Sequence, residues 1–437
     1  MTSNRESHSG QSWHIKNVRV LDPFTGRDGA GDLFVENGQF VAAKRPGMET
    51  VDGRGLWAVP RLTDIHVHFR EPGQEHKEDL ETGSRAAAAG GFTVVATMPN
   101  TDPVIDIPAL VDWQIRRGQE IGLVDIWPLG AVTKGSRGQE LAEMGMMQRA
   151  GAVGFSDDGQ AVGPSRLMRA ALSYATTLGH PIIQHAEDQD LSEGSVMHEG
   201  EVSSRVGLPG VPGVAESSLV WRDVELSLLT GGPLHLAHVT APGSLDAIHY
   251  ARQRGASVTA EATPHHLLLT DEAVAEWNVD PVTKVNPPLR PDAFRQTLIA
   301  AVVSGLVTVI ASDHAPHHRD EKNRTYLDAP YGISGLETSL GAVLTVLLHS
   351  GRMAPLDLLA RLTVGPHRAL GMNYPGIVPG ARADLTLIDP QHRWRVDSTQ
   401  FYSRGRNTPM NGMELTGRAV ATMFHGRWTM QDGEVLV

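Results

Sequence analysis

Eight short apolar runs recur through the middle of the chain, at 58–65, 92–98, 124–129, 152–155, 181–184, 234–237, 257–260 and 307–311. Stretches with helical spacing of apolar residues lie between them, at 77–89, 108–120, 139–149, 165–178, 214–229, 243–252 and 291–303, and an eighth follows at 334–349. A short continuous apolar run reads as a strand buried on both faces, and strands alternating with helices imply parallel pairing. Eight such units predict an α/β chain whose middle is a (β/α)8 TIM barrel; an open doubly wound sheet is the alternative, and the count favours the barrel. The two ends have a different texture. Strand-like runs broken by turn residues, Asn37-Gly38 and Asn411-Gly412 among them, fill both termini. They predict a small discontinuous β-sandwich domain made of 13–58 with 375–437, around a catalytic barrel at 59–374, with 1–12 as a polar tail.

Composition narrows the chemistry. The 437 residues include no cysteine, which excludes disulfide frameworks, thiolate metal sites and cysteine nucleophiles. Lys and Arg number 38 against 50 Asp and Glu, a net charge of −12, so no nucleic-acid partner is expected. The polar opening MTSNRESHSGQS does not read as a secretory signal, and no apolar stretch approaches the ~18 residues of a membrane span. A soluble, cytoplasmic protein without a membrane partner is the expectation. Histidine, at 20 residues, is the excess that asks for a reason.

His66 and His68, in Asp64-Ile65-His66-Val67-His68, share one face if the run is a strand, so both can reach one ion. Alone, such a pair is more often two polar strand residues. It gains weight from its place at the C-terminal end of the first run, the face on which barrel enzymes carry their chemistry. His185 closes the fifth run, His238 the sixth, Asp157 and Asp158 follow the fourth, and Asp313 follows the eighth. Each Asp taken singly reads as a cap or turn residue. Five strand ends that all supply imidazole or carboxylate read as a centre for zinc or a similar divalent ion. His235 is expected to point away from that centre, and His265 and His266 to be neighbours of the site or polar loop residues. His8, His249, His349, His392 and His425 are expected to be solvated, and His76 and His198 to be loop histidines with no evident partner.

The segments DIHVHFREPG, GGFTVVATMPNTDP, FSDDG, VNPPLR and ASDHAPH together resemble the dihydroorotases of the amidohydrolase superfamily, and among them the class I bacterial type, from about Val18 to the C-terminus. The resemblance implies that His66 and His68 with Asp313 hold one metal and His185 with His238 a second, giving one or two Zn2+ per subunit. Hydantoinases, allantoinase and many dihydroorotases bridge their metals with a carboxylated lysine from the fourth strand; this chain has Ser156-Asp157-Asp158 there. The family pattern favours Asp158 as the bridging ligand, whereas periodicity does not separate it from Asp157. The resemblance further implies that Arg70 and Asn100 receive the substrate α-carboxylate, which suits a bidentate guanidinium. Read alone, Arg70 would be a surface ion pair with Glu71 or Glu75. His317 is implied to complete that pocket, Asn286 to read the ring amide, and Gly332 to offer backbone groups. Residues 315–332 read first as a solvated connection, yet they are placed to fold over the site. Asp313 is the implied catalytic residue, moving a proton from activated water to the departing ring nitrogen.

The implied activity is the reversible, zinc-dependent interconversion of N-carbamoyl-L-aspartate and (S)-dihydroorotate in de novo pyrimidine (UMP) biosynthesis. Two alternatives stand beside it. A hydantoinase or allantoinase is opposed by the missing lysine and by the Arg70/Asn100 pair. A non-catalytic structural partner of aspartate transcarbamoylase is opposed by the full set of ligand residues. A homodimer is expected, and association of an active chain with aspartate transcarbamoylase is left open.

Overall fold

The computed structural model describes residues 11–436. Positions 1–10 of the expected tail, His8 included, lie outside the described residues, and Ser12 already belongs to the first strand. Five strands come first: β1 (Ser12–Asp22), β2 (Arg27–Glu36), β3 (Gln39–Val41), β4 (Glu49–Asp52) and β5 (Trp57–Pro60). Asn37 and Gly38, both at positive φ (50° and 79°), make the two-residue turn between β2 and β3. The middle of the chain holds β6 (Thr63–Val67), β7 (Val94–Thr97), β8 (Asp125–Pro128), β9 (Phe155–Ser156) and β10 (Ile182–Gln184). A separate parallel pair, β11 (Met197–His198) and β12 (Gly210–Val211), interrupts the series. The series resumes with β13 (Leu234–Leu236), β14 (Val258–Ala262) and β15 (Val309–Ile310). The C-terminal strands are β16 (Leu385–Arg395), β17 (Glu414–Phe424), β18 (Arg427–Gln431) and β19 (Glu434–Val435).

Helices follow the strands of the middle series: α1 (Leu80–Ala89), α2 (Pro108–Ile121), α3 (Met144–Ala150), α4 (Ser165–Leu178), α5 (Val214–Thr230), α6 (Pro242–Gln253), α7 (Asp292–Ser304) and α8 (Leu336–Val343). Local sequence explains them. The Asp79 carboxylate caps α1 by accepting from the Thr82 N–H at 2.7 Å, and α4 buries Leu167, Met168, Ala171, Leu172 and Ala175, one helical face. Strands β6, β7 and β8 pair in parallel, as do β9, β10, β13, β14 and β15. Single parallel bridges, Gly130 with Phe155 and Val67 with His314, join the margins of these two sheets. Ile65, Ala96, Leu129, Ile183 and Val309 pack together on one side of the series, and a larger apolar cluster lies between the strands and the helices.

The expected run 58–65 divides in two. Trp57–Pro60 pairs with the terminal strands, Thr63–Val67 with β7, and Arg61, at φ 40°, breaks the extended backbone between them. Strands of the two ends share one hydrogen-bonded sheet, where the sequence reading expects a sandwich. Its order is β19-β18-β17-β16-β5-β1-β2-β3, with β4 on β1, because β16 pairs with β5 on one edge and β17 on the other. Trp13, Ile15, Val20, Leu385, Met423 and Trp428 belong to its own apolar cluster. No helix among the described residues is long and apolar enough to cross a membrane.

Candidate active site

The C-terminal ends of β6, β9, β10, β13 and β15 converge on one buried cluster. His66 Nε2 lies 3.5 Å from Asp158 Oδ1 and 3.4 Å from Asp313 Oδ1. His68 Nε2 lies 3.1 Å from Asp313 Oδ1 and 3.6 Å from Asp158 Oδ2. On the other side of Asp158, His185 Nδ1 and His238 Nε2 approach its Oδ1 to 3.5 and 3.6 Å. Asp157 turns away: its carboxylate accepts the Val132 and Thr133 N–H groups at 2.9 and 3.0 Å and the Thr133 hydroxyl at 2.5 Å. Three triads, His66/His238/Asp313, His66/His68/Asp158 and Asp158/His185/His238, each bring their ligand atoms within 4.8 Å of one another.

This donor set fits a divalent ion. Nε2 of His66 and Oδ1 of Asp158 are buried without a hydrogen-bond partner, a costly state for polar atoms unless something else satisfies them. Burial opposes charge on His66, yet the carboxylates of Glu261, Asp158 and Asp313 outweigh it and hold its pKa well above the ordinary value. Burial likewise opposes ionisation of Asp158 and Asp313, and the surrounding imidazoles overcome it, so both titrate well below the usual carboxylate range.

Sequence reasoning missed the group beneath the cluster. Glu261, fully buried on β14, takes His66 Nδ1 on Oε1 at 2.5 Å, the His238 backbone N–H at 3.2 Å, and His235 Nε2 on Oε2 at 3.0 Å. Its one signal in the sequence is an acidic residue directly after the seventh run, 257–260, between Ala260 and Ala262. His235 points away from the centre, as expected of it, with Nδ1 at Thr259 Oγ1 (2.8 Å). His266 spans Thr263 Oγ1 and the Pro287 carbonyl, while His265 is buried with Nε2 unpartnered. The two loop histidines do have partners: His198 is buried against Arg290 at 3.0 Å, and His76 lies 3.5 Å from Glu321.

Arg70, Asn100, Asn286, His317 and Gly332 all line one cavity of about 250 Å³ beside Asp158 and Asp313. Arg70 is 8% exposed and sits at φ 62°. Its Nε donates to the Pro316 carbonyl at 3.3 Å, and its guanidinium lies 3.4 Å from His317. Glu71 and Glu75 are engaged elsewhere, by the Leu80 and Gly73 N–H groups, so Arg70 faces the cavity without a carboxylate neighbour of its own segment. Burial lowers its pKa only to about 10, leaving the cation intact. Burial and that cation push the His317 imidazole far below its ordinary pKa, so the ring is neutral, with Nε2 donating to the Tyr331 carbonyl at 2.8 Å. Asn100 Oδ1 lies 2.9 Å from His68 Nδ1, and Asn286 donates to Glu187 at 3.0 Å. Gly332, at φ 141°, leaves no room for a side chain, since a Cβ would stand 2.6 Å from the Ala315 carbonyl.

The stretch 315–332 is held down by two lysines the sequence reading did not single out. Lys284 Nζ donates to the Leu327 and Ala329 carbonyls at 2.9 and 2.7 Å; Lys322 Nζ donates to those of Pro281 and Pro330, both at 2.9 Å.

The family described as dihydro-orotase-like matches residues 55–244. The dihydroorotase of Pelotomaculum thermopropionicum is 47% identical over 422 residues, 96% of this chain and 98% of that protein. That of Pelobacter propionicus is 47% identical over 418 residues, 94% and 98% of the two chains. Among solved structures, the L-hydantoinase (dihydropyrimidinase) from Arthrobacter aurescens matches with a TM-score of 0.84 at 25% identity, covering 97% of each chain. With relatives so similar along nearly their entire length, the chain belongs to the dihydroorotase family.

Proposed function

We propose that this chain is a zinc-dependent dihydroorotase that interconverts N-carbamoyl-L-aspartate and (S)-dihydroorotate, working at the C-terminal face of a (β/α)8 barrel of about residues 59–374. The observation that carries the reading is Arg70, a buried cation in direct ion-pair contact with no carboxylate among the described residues, in the same small cavity as the imidazole–carboxylate cluster. In this reading His66, His68, Asp158, His185, His238 and Asp313 hold one or two zinc ions. A zinc ion bound there supplies Lewis-acid polarisation of the amide carbonyl and acidifies water.

The chain's own groups do the rest. Arg70, with Asn100, binds the α-carboxylate and fixes the ring at the cluster, and neutral His317, whose N–H is held by the Tyr331 carbonyl, shapes the wall beside Arg70. Asn286 faces the ring amide, and Gly332, whose N–H and carbonyl are held by Lys284 and Asn407, lets its leg pack against Ala315 and His317 at the cavity wall. The Asp313 carboxylate lies 3.1 Å from His68 at the cavity wall, where it takes a proton and returns it to the ring nitrogen. Residues 315–332 shield the site from water.

Turnover of dihydroorotate, hydantoin and allantoin by the zinc-loaded protein tests the reading, with only dihydroorotate expected to react. Asp313→Ala should lower kcat at least ~1,000-fold, and Arg70→Met should raise KM at least ~10-fold with a smaller change in kcat. Preferred turnover of hydantoin, or an Arg70→Met enzyme with normal KM, would overturn it. The same family reading extends to a homodimer, alone or docked on aspartate transcarbamoylase; light scattering with and without that enzyme decides between the two.

A further inference from the structure

The segment between β16 and β17, which belongs to the terminal part of the chain, reaches back to the cavity through one side chain. Asn407 is 7% exposed and lies between the outgoing and returning legs of the 315–332 stretch. Its Nδ2 donates to the Ala315 carbonyl at 3.1 Å and to the Gly332 carbonyl at 2.9 Å. Its Oδ1 accepts the His317 N–H and the Ser334 hydroxyl, both at 3.0 Å. Its own carbonyl accepts the Ser334 N–H at 2.9 Å. Carbonyl oxygens only accept, so the orientation of the amide is fixed, and both donors and both acceptor positions of the side chain are used. Closer to β15 the two legs pair with each other, through the His314–Ile333 bridge and the Ala315 N–H to the Ile333 carbonyl. At the level of His317 and Gly332 they are spanned by Asn407.

We infer that Asn407 is a positioning residue for substrate recognition: it sets the spacing between His317 and Gly332, and through them the shape of the cavity beside Arg70. It touches neither the imidazole–carboxylate cluster nor the reacting atoms. Its removal therefore acts on binding of the substrate carboxylate and leaves the chemistry of the cluster in place. The inference rests on reading the cavity as the substrate pocket.

Asn407→Asp is the informative variant. It keeps both acceptor positions, loses both donors, and sets a carboxylate oxygen against the Ala315 and Gly332 carbonyls. In the zinc-loaded full-length protein KM for dihydroorotate should rise at least ~10-fold while kcat stays within about threefold and zinc content is unchanged. Ser334→Ala removes a single bond to the same amide and should raise KM about two- to threefold. A folded Asn407→Asp enzyme with normal KM and only a lower Tm would make the residue merely structural and overturn the inference. So would loss of zinc or of kcat at normal KM. If Asn407→Asp does not fold, an unchanged KM in Ser334→Ala overturns it. A wild-type enzyme inactive on dihydroorotate, or an Arg70→Met enzyme with unaltered KM, refutes the functional reading instead, so the two failures are distinct.

Discussion

Glu261 is a carboxylate with no access to water, kept there by three donors that converge on it: His66 Nδ1, His235 Nε2 and the His238 N–H. The contact to His66 holds Nδ1 and leaves Nε2 facing Asp158 and Asp313, which in the proposed function prepares the ring as a ligand. Glu261→Gln brings an amide N–H against one of these donors. Zinc affinity, measured by competition with a chromogenic chelator, should fall roughly 10- to 100-fold; wild-type affinity would show that the ring is prepared by other contacts. The imidazole–carboxylate cluster was legible in the sequence for a simple reason: imidazole and carboxylate at five strand ends have few other uses together. Asp157 and Asp158 could not be told apart, because what separates them is the pair of N–H groups at Val132 and Thr133 that claims Asp157. Glu261 and Asn407 stayed hidden since their partners, His66 and His317, lie 195 and 90 positions away.

Helix α8 begins close to the C-terminal segment that carries Asn407. Glu337, in its first turn, accepts the Tyr402 and Ser403 N–H groups at 3.1 Å each. Burial nevertheless pushes its carboxyl up to about 8, against those two bonds. Between the ordinary value of 4.5 and about 8 the folded chain holds a proton that the unfolded chain has released, so stability falls as pH rises through that window. Glu337→Gln removes this dependence. Urea midpoints at about pH 5 and about pH 8 should therefore diverge less in the variant than in the wild type; equal divergence would place the carboxyl at an ordinary pKa. Elements as such were mostly readable, because apolar spacing distinguishes strand from helix: the expected 165–178 helix is α4 to the residue. The run at 58–65 misled because apolar content continues across Arg61, whereas the change of sheet depends on one backbone angle that composition does not encode.

On the scale of the molecule, the terminal sheet and the eight parallel strands are tied by chain connections at β5–β6 and by segments such as Asn407's that cross from one to the other. The shared strand-and-turn texture of both termini pointed to their pairing; the single continuous sheet they make depends on β16 pairing on both edges. The imidazole–carboxylate cluster draws on five strands, so an ion held there binds only the folded chain and stabilises it as a whole. A free zinc concentration of ~100 times Kd should add about 2.7 kcal/mol. Scanning calorimetry of chelator-stripped and zinc-supplemented protein should show a higher Tm with the metal, rising with its concentration. A Tm indifferent to zinc would place the ion, if any, outside the core.

The bridge between Val67 and His314, which brings the first and last of the eight strands together, also sets a schedule for synthesis. His68 and Asp313 are 245 positions apart. At a ribosomal pace of ~5–20 residues per second, His68 is made roughly 10 to 50 seconds before the carboxylate it faces. During that interval the first imidazoles of the cluster are made without the carboxylate that faces them in the folded chain. An ion that needs both His68 and Asp313 would therefore be held only after translation has passed Asp313.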